Sequence, residues 1–463
     1  MNAILTPFRA ALVGLFFAGS LTAAPKPASF HKEIAPIFRR SCNGCHHPGK
    51  LKGNLDLTSY EAFKKGGKHG SSFKPGNPKD SLVIEEISGK EPSMPAEGTP
   101  LSAIEVALFE RWIKEGAHDD TPAGFAKPTA PLAYPAAPAI PALAFSPDGS
   151  FLAVAAHHEI ILHKADGSAI AARLPGDAAR IESFAFSPDG KYLAAAGGSP
   201  GLFGEVQIWE MPAGKLAKSF RFGRDSLFGV NWSPDQQSLV CGSAERTVRV
   251  IAVADGKELF KFDNHTDWTF GGAFTLDGKH FVSGGRDRVL KLVDIAKKEF
   301  ISDLHPSAEP INCLIRHPSK DQIAFGSAQG SLFLYQVTNQ VDRTAVEKNT
   351  YRIRSYNRLP VATTALAFNA DGTLLAAGGA AGDCRIYRTE DGTQLTTLKG
   401  HDGPVFALAF HPKLPHIAAG GFDGHLRLFN TTNGTNLITF SPVPLKTPIK
   451  TASGSKESKR YSN

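Results

Sequence analysis

One turn recurs seven times along this chain. Phe145-Ser146-Pro147-Asp148-Gly149, Phe186-Ser187-Pro188-Asp189-Gly190 and Trp232-Ser233-Pro234-Asp235 are its fullest copies. Phe274-Thr275-Leu276-Asp277-Gly278, Arg316-His317-Pro318, Phe368-Asn369-Ala370-Asp371-Gly372 and Phe410-His411-Pro412 follow. Successive copies lie 41, 46, 42, 42, 52 and 42 residues apart. An apolar strand precedes each turn and a second follows it. A small-residue pair such as Gly284-Gly285 or Gly420-Gly421 comes next, then an alternating strand such as Leu290-Lys291-Leu292 or Leu426-Arg427-Leu428. A period of about 40–45 residues holds one four-stranded blade, and such sheets bury their faces only by stacking in a ring. The pattern predicts a seven-bladed β-propeller over residues 141–441. The wide interval between Arg316 and Phe368 carries Arg343, Lys348, Arg352, Arg354 and Arg358, and reads as a basic surface insertion.

The remainder of the 463 residues lies mostly ahead of the repeats. Residues 1–23 have the form of an export signal: Arg9, then an apolar run from Ala10 to Gly19, then Leu21-Thr22-Ala23 as the cleavage stretch. That run falls short of the roughly 20 residues a spanning helix needs. No later stretch reaches 18 apolar residues, so no integral membrane span is expected in the mature chain, and no Cys sits at the cleavage point to take a lipid. The expected location is the periplasm or another exported compartment. There the net charge of +7 argues poorly for a nucleic-acid partner. Six prolines between Pro122 and Pro141 mark residues 121–140 as a semi-rigid linker. The stretch from 442 to 463, with Lys446, Lys450, Lys456, Lys459 and Arg460, reads as a disordered basic tail.

Two of the five cysteines stand apart. Cys42-Asn43-Gly44-Cys45-His46 has the spacing of a c-type haem attachment sequence. Cysteines three apart share one side of a helical turn, so both thiols reach the vinyl groups of one porphyrin, and His46 follows as proximal iron ligand. A redox disulfide or half a zinc site has the same Cys spacing, but zinc needs a second ligand pair. Cys241, Cys313 and Cys384 fall in apolar strand-like runs and read as buried free thiols. The residues around the motif predict a small all-α domain over 26–120. One helix spans about 29–44, with Ile34, Ile37 and Phe38 on one face. Another begins after Ser102, whose Ser102-x-x-Glu105 forms a capping box, and it carries Ile104, Leu108, Phe109, Trp112 and Ile113 as far as Gly116.

A six-coordinate iron needs a ligand on its other face. Met94 is the candidate: Pro92 and Pro95 hold it outside any helix, and 48 residues separate it from His46. His69, in a Gly-rich loop, is the alternative. His47 directly follows the proximal ligand and cannot reach the far face, and His118 lies beyond the second helix.

Phe30 to Ala117 resembles the planctomycete-type cytochrome c domain. The resemblance rests on Glu33-Ile34-Ala35-Pro36-Ile37-Phe38, on Cys42 to His46, and on Gly53-Asn54-Leu55-Asp56-Leu57. It continues in Pro75-Gly76-Asn77-Pro78, Ser81-Leu82-Val83-Ile84, Met94-Pro95 and Glu110-Arg111-Trp112-Ile113. It implies one covalent haem c held by Cys42, Cys45 and His46, with Met94 as distal ligand. Where the family often continues with a second proline after Met-Pro, this chain has Ala96. The repeats resemble WD repeats: Trp209-Glu210 and Val293-Asp294 stand closest to the dipeptide, while His265 with Asp287 and His401 with Asp423 match the family's buried structural pair.

These features predict an exported electron carrier whose propeller serves as a platform for a partner protein. Seven lysines between His46 and Lys79 face only Asp56 and Glu61, which suits an acidic redox partner. The alternative is a haem-c oxidoreductase whose propeller holds a second active site, as in quinoproteins and two-haem nitrite reductases. Trp112, Trp209, Trp232 and Trp268 are too few for repeated quinoprotein tryptophans, and seven blades differ from the eight-bladed types. A sensor with an open distal position would require that Met94 not ligate.

Overall fold

The computed structural model describes residues 26–43, 45–47, 50–96, 99–121, 133–305, 308–338 and 343–446. The expected export signal, most of the linker and nearly all of the basic tail lie outside them. Seven four-stranded antiparallel sheets form a seven-bladed propeller whose strands run from Leu143 to Phe440. Blade one covers 143–175, two 180–222, three 227–262, four 269–303, five 311–355, six 363–398 and seven 405–440. Each blade is consecutive in sequence, first strand innermost and fourth outermost. The middle strands carry the core, as in Leu193–Ala196 of blade two and Ile417–Ala419 of blade seven, all buried. The extra residues of the wide interval lie between the third and fourth strands of blade five and include a short helix, Arg343–Glu347. Arg352 and Arg354 belong to that fourth strand rather than to a loop.

The recurring turn explains its own composition. The Ser146 hydroxyl bonds the Asp148 carboxylate, the Gly149 N–H bonds the Ser146 carbonyl at 2.8 Å, and Gly149 takes φ +77. Asp148 is exposed, and its carboxylate also accepts from the Ser150 N–H at 3.0 Å, so the side chains close the turn from within. Two copies replace Ser by His. His317 Nδ1 accepts from the Ser319 N–H (3.2 Å), and its Nε2 donates to the Gly372 carbonyl of blade six (3.2 Å). His411 does the same with the Lys413 N–H (3.1 Å) and the Gly149 carbonyl of blade one (3.1 Å). Both rings act as neutral struts between neighbouring blades. Burial lowers both pKa values, which keeps the rings neutral.

The ring closes without exchanging a strand. The Ile140 N–H bonds the Gly421 carbonyl of blade seven at 2.9 Å. Tyr134 pairs in parallel with Leu445, giving its N–H to Pro444 and accepting from Lys446, both at 2.8 Å. The Tyr134 hydroxyl donates to Glu159 Oε1 at 2.6 Å, and Arg173 clasps that carboxylate through Nε and Nη2. The propeller ends of the expected linker and tail are thus the clasp over blade one.

Ahead of the propeller, four short helices enclose an aromatic core: α1 (Ala35–Ser41), α2 (Tyr60–Lys65), α3 (Leu82–Ile87) and α4 (Ala103–Lys114). Trp112 is buried with ring centroids of Phe73 at 5.0 Å and Phe30 at 5.5 Å, and Phe38 meets Phe109 at 5.4 Å, so α4 packs on α1. Ser102 and Glu105 form the expected capping box. Three expectations are corrected. The unit is helical but not all-α, because His46–His47 and Lys50–Leu51 form a two-stranded ladder. The first helix begins as a π-turn at Phe30–Ile34 and stops at Ser41, short of 44, where Cys42 leaves helical geometry. Ile104 is 82 % exposed, because the first turn of α4 extends past the aromatic core that Phe109, Trp112 and Ile113 fill.

Candidate cofactor site

The cysteine motif forms a turn of its own at the end of α1. The Cys42 N–H bonds the Phe38 carbonyl at 2.9 Å, and the Cys45 and His46 N–H groups both return to the Cys42 carbonyl, at 3.1 and 3.2 Å. The chain is thereby wound once, which keeps the two thiols near each other and turns His46 inward. His46 is buried, and its ring Nδ1 lies 3.0 Å from the Lys52 carbonyl. A carbonyl only accepts, so Nδ1 carries the proton and Nε2 keeps a free lone pair. That bond orients the imidazole as second-sphere partners orient metal-ligating histidines.

Cys42, Cys45, His46 and Met94 all line one cavity of about 570 Å3. Its volume falls in the roughly 300–1,000 Å3 range of small-molecule and cofactor sites. Phe38, Leu57, Phe63, Val83 and Ile87 give it an apolar wall. Met94 is held by its N–H to the Glu86 carbonyl at 2.9 Å, and Ser93 also bonds that carbonyl, at 3.2 Å. Its thioether packs partly buried against the aromatic core. Burial pushes the Cys42 thiol up to about 11, against the opposing pull of Arg40, so the sulfur is held as a neutral thiol. Among the described residues, no group of three or more His, Cys, Asp or Glu side chains is disposed to hold a bare metal ion. The donor set is therefore two thiols, an oriented imidazole and a thioether around an apolar cavity, and those donors fit haem c.

Arg40, Lys52, Lys68 and His69 also line the cavity, with Glu86 as its acid. The structure thus places His69, the alternative ligand, at this cavity too, with its side chain exposed. His118 is not part of the wall; its carbonyl accepts from Trp112 Nε1 at 3.0 Å. Of the lysines between His46 and Lys79, Lys52 and Lys68 reach the cavity, while Lys64, Lys65, Lys74 and Lys79 are exposed elsewhere on the unit. Sequence reasoning missed Lys52 as the group that orients His46, because a main-chain carbonyl leaves no trace in residue type. It also missed Arg224, a propeller residue on the cavity wall.

Within the propeller, the His–Asp positions hold loops together. His265 Nδ1 meets Asp287 at 2.8 Å and its Nε2 meets Ser283 at 2.9 Å. In blade seven Arg427 stands between the partners, 2.7 Å from Asp423 and 3.0 Å from His401 Nδ1. Cys241, Cys313 and Cys384 lie on strands of blades three, five and six.

Residues 42–98 match the family described as Planctomycete cytochrome C. Residues 169–199, 214–251, 256–294, 357–388 and 392–430 match the WD domain, G-beta repeat. The chain therefore joins a planctomycete-type cytochrome segment to a WD-repeat propeller. All of blade five, 311–355, lies outside the matched repeats. Among curated proteins the chain is 25 % identical over 200 residues to the Protein LST8 homolog of Drosophila melanogaster, covering 42 % of this chain and 60 % of that protein. It is 22 % identical over 184 residues to the Target of rapamycin complex subunit wat1 of Schizosaccharomyces pombe, covering 40 % and 55 %. Over 100 residues it is 34 % identical to the mouse F-box-like/WD repeat-containing protein TBL1X, covering 20 % and 18 %. The chain spans 60 % or less of the length of these relatives. A WD propeller implies interaction with other proteins. No described helix is long and apolar enough to cross a membrane.

Proposed function

We propose that this chain is an exported c-type cytochrome that carries one covalent haem c in residues 26–120 and uses its WD-repeat propeller, residues 141–441, to bind a partner protein. The observation that carries this reading is the convergence of Cys42, Cys45, His46 and Met94 on one apolar cavity, with His46 Nδ1 tied to Lys52. Cys42 and Cys45 would hold haem c through two thioether bonds, their sulfurs lying on the wall of the same cavity. His46, its Nδ1 tied to the Lys52 carbonyl, would offer Nε2 to the iron, and Met94 would offer its thioether. Haem c supplies one-electron exchange at its iron. The protein's part is to fix both ligands, keep water from the apolar wall, and leave cationic Lys52 and Lys68 at the rim to steer an acidic redox partner. Residues 1–23 direct the chain out of the cytoplasm, to the periplasm in a cell with two membranes.

Met94→Ala tests the reading, because it separates electron transfer from catalysis or sensing at the same site. If His46 and Met94 both hold the iron, the reduced wild type should exclude carbon monoxide and the oxidised form should show a sulfur-to-iron charge-transfer band. Met94→Ala loses that band, binds carbon monoxide and has a lower midpoint potential, since a neutral thioether favours the ferrous state. A wild type that binds carbon monoxide readily would overturn the electron-carrier reading.

A further inference from the structure

Arg224 belongs to the propeller, yet it lines the cavity that holds Cys42, His46 and Met94. It sits in the loop between the strands Lys215–Phe222 and Leu227–Trp232. Because the strands of each blade alternate in direction, loops from a fourth strand to the next blade emerge at the same face as loops from second to third strands. The chain leading out of the N-terminal unit arrives at that face. Tyr134 lies at His157 in the second-to-third-strand loop of blade one, and Ala137 and Pro138 lie against Gly424 in that of blade seven. From residue 121 to Tyr134 the chain reaches at most about 45 Å, so the tether keeps the unit near this face.

The Arg224 loop is set firmly. Its N–H bonds Glu245 Oε1 at 2.6 Å, while Glu245 Oε2 is engaged by Arg249 at 3.0 Å. The Arg224 guanidinium itself has no hydrogen bond or ion pair with any described residue. Lys52 and Lys68 on the same wall also lack an ion pair among the described residues, whereas Arg40 is paired with Glu105. Against these three cations the wall carries one acid, Glu86, so the cavity keeps a positive excess that calls for anions. Haem carries two carboxylates, and a carboxylate entering an apolar cavity is costly unless it is paired. A guanidinium meets a carboxylate through two parallel hydrogen bonds, which Lys cannot reproduce.

We propose that Arg224 pairs with a carboxylate of haem c and so fastens the propeller to the haem-binding unit. The inference rests on the haem reading above. Haem then becomes part of the joint between the two halves, and the propeller covers part of the cavity mouth.

The test uses the full mature chain, with haem attached, as wild type, Arg224→Gln, Arg224→Lys and Lys320→Gln, the last on the opposite face. Midpoint potential is titrated against pH, and the radius of gyration is measured by small-angle X-ray scattering. Arg224→Gln is expected to keep its haem stain, to lower the potential, to move the carboxylate step in its pH profile upward, and to expand the molecule. Arg224→Lys should recover most of the potential but less of the compaction, and Lys320→Gln should change neither. An Arg224→Gln protein that is coloured and has wild-type potential and dimensions overturns the proposal and leaves the haem reading standing. A colourless wild type overturns both.

Discussion

His305 is a buried imidazole without a hydrogen-bond partner on either ring nitrogen among the described residues. It is boxed by the rings of Phe325 at 4.7 Å, Tyr335 at 4.8 Å and Phe333 at 5.7 Å. Burial lowers its pKa from the ordinary 6.5 to about 4; nearby Arg352 adds to the shift and Glu309 opposes it. The sign follows directly. Below about pH 6.5 the unfolded chain takes up a proton that the folded ring refuses until about pH 4, so stability falls as pH falls through that window. At about 1.4 kcal/mol per pH unit, the gap amounts to about 3 kcal/mol present at pH 7 and gone near pH 4. His305→Phe keeps the ring in its aromatic box and removes the titration. Its urea midpoint, followed by tryptophan fluorescence, should match or exceed the wild type at pH 7, with the advantage growing to about 3 kcal/mol near pH 4. His401, held down to about 4 by burial and Arg427, titrates in both proteins and cancels in the comparison. Parallel wild-type and variant stabilities from pH 7 to pH 4 would refute the reasoning.

Two further substitutions test the packing. Trp112→Ala empties the centre of the N-terminal aromatic core and should cost about 3–5 kcal/mol, seen as a fall in the yield of haem-stained protein while the propeller's thermal transition stays in place. Tyr134→Phe removes the hydroxyl that ties the clasp to Glu159 and should cost about 1–2 kcal/mol, measured as faster exchange of the two clasp amides, those of residue 134 and Lys446; unchanged exchange there would show that the clasp rests on its main-chain bonds alone.

The propeller was legible because its signal is redundant. A Ser–Asp turn needs those two side chains to close, and even the His-Pro copies at His317 and His411 kept the spacing that revealed them. The insertion in blade five did not hide the count, since the strand-rich units on either side fixed the phase. The proposed ligand set was legible for the opposite reason: Cys42, Cys45, His46 and Met94 carry side chains whose chemistry few other residues share, and all four line one cavity. What escaped was carried by backbone or by distance. The Lys52 carbonyl orients His46 whatever residue stands there. The parallel pairing of Tyr134 with Leu445 joins positions 311 residues apart, and neither carries a pattern. Arg427 entering between His401 and Asp423 looked like one more outward-facing strand residue, because period-two alternation does not say which side chains cross between loops. Ile104 had helical spacing but no neighbour to cover it, which periodicity alone cannot tell.

The central claim is the covalent haem, and the chain's own mass decides it. The mature protein, produced in a host with haem-attachment machinery and stripped in denaturant, should retain the mass of one haem on the peptide holding Cys42, Cys45 and His46. Cys42→Ser and Cys45→Ser together should abolish it without disturbing the propeller. A wild-type chain that leaves denaturant colourless, at the mass of its polypeptide alone, would contradict the account.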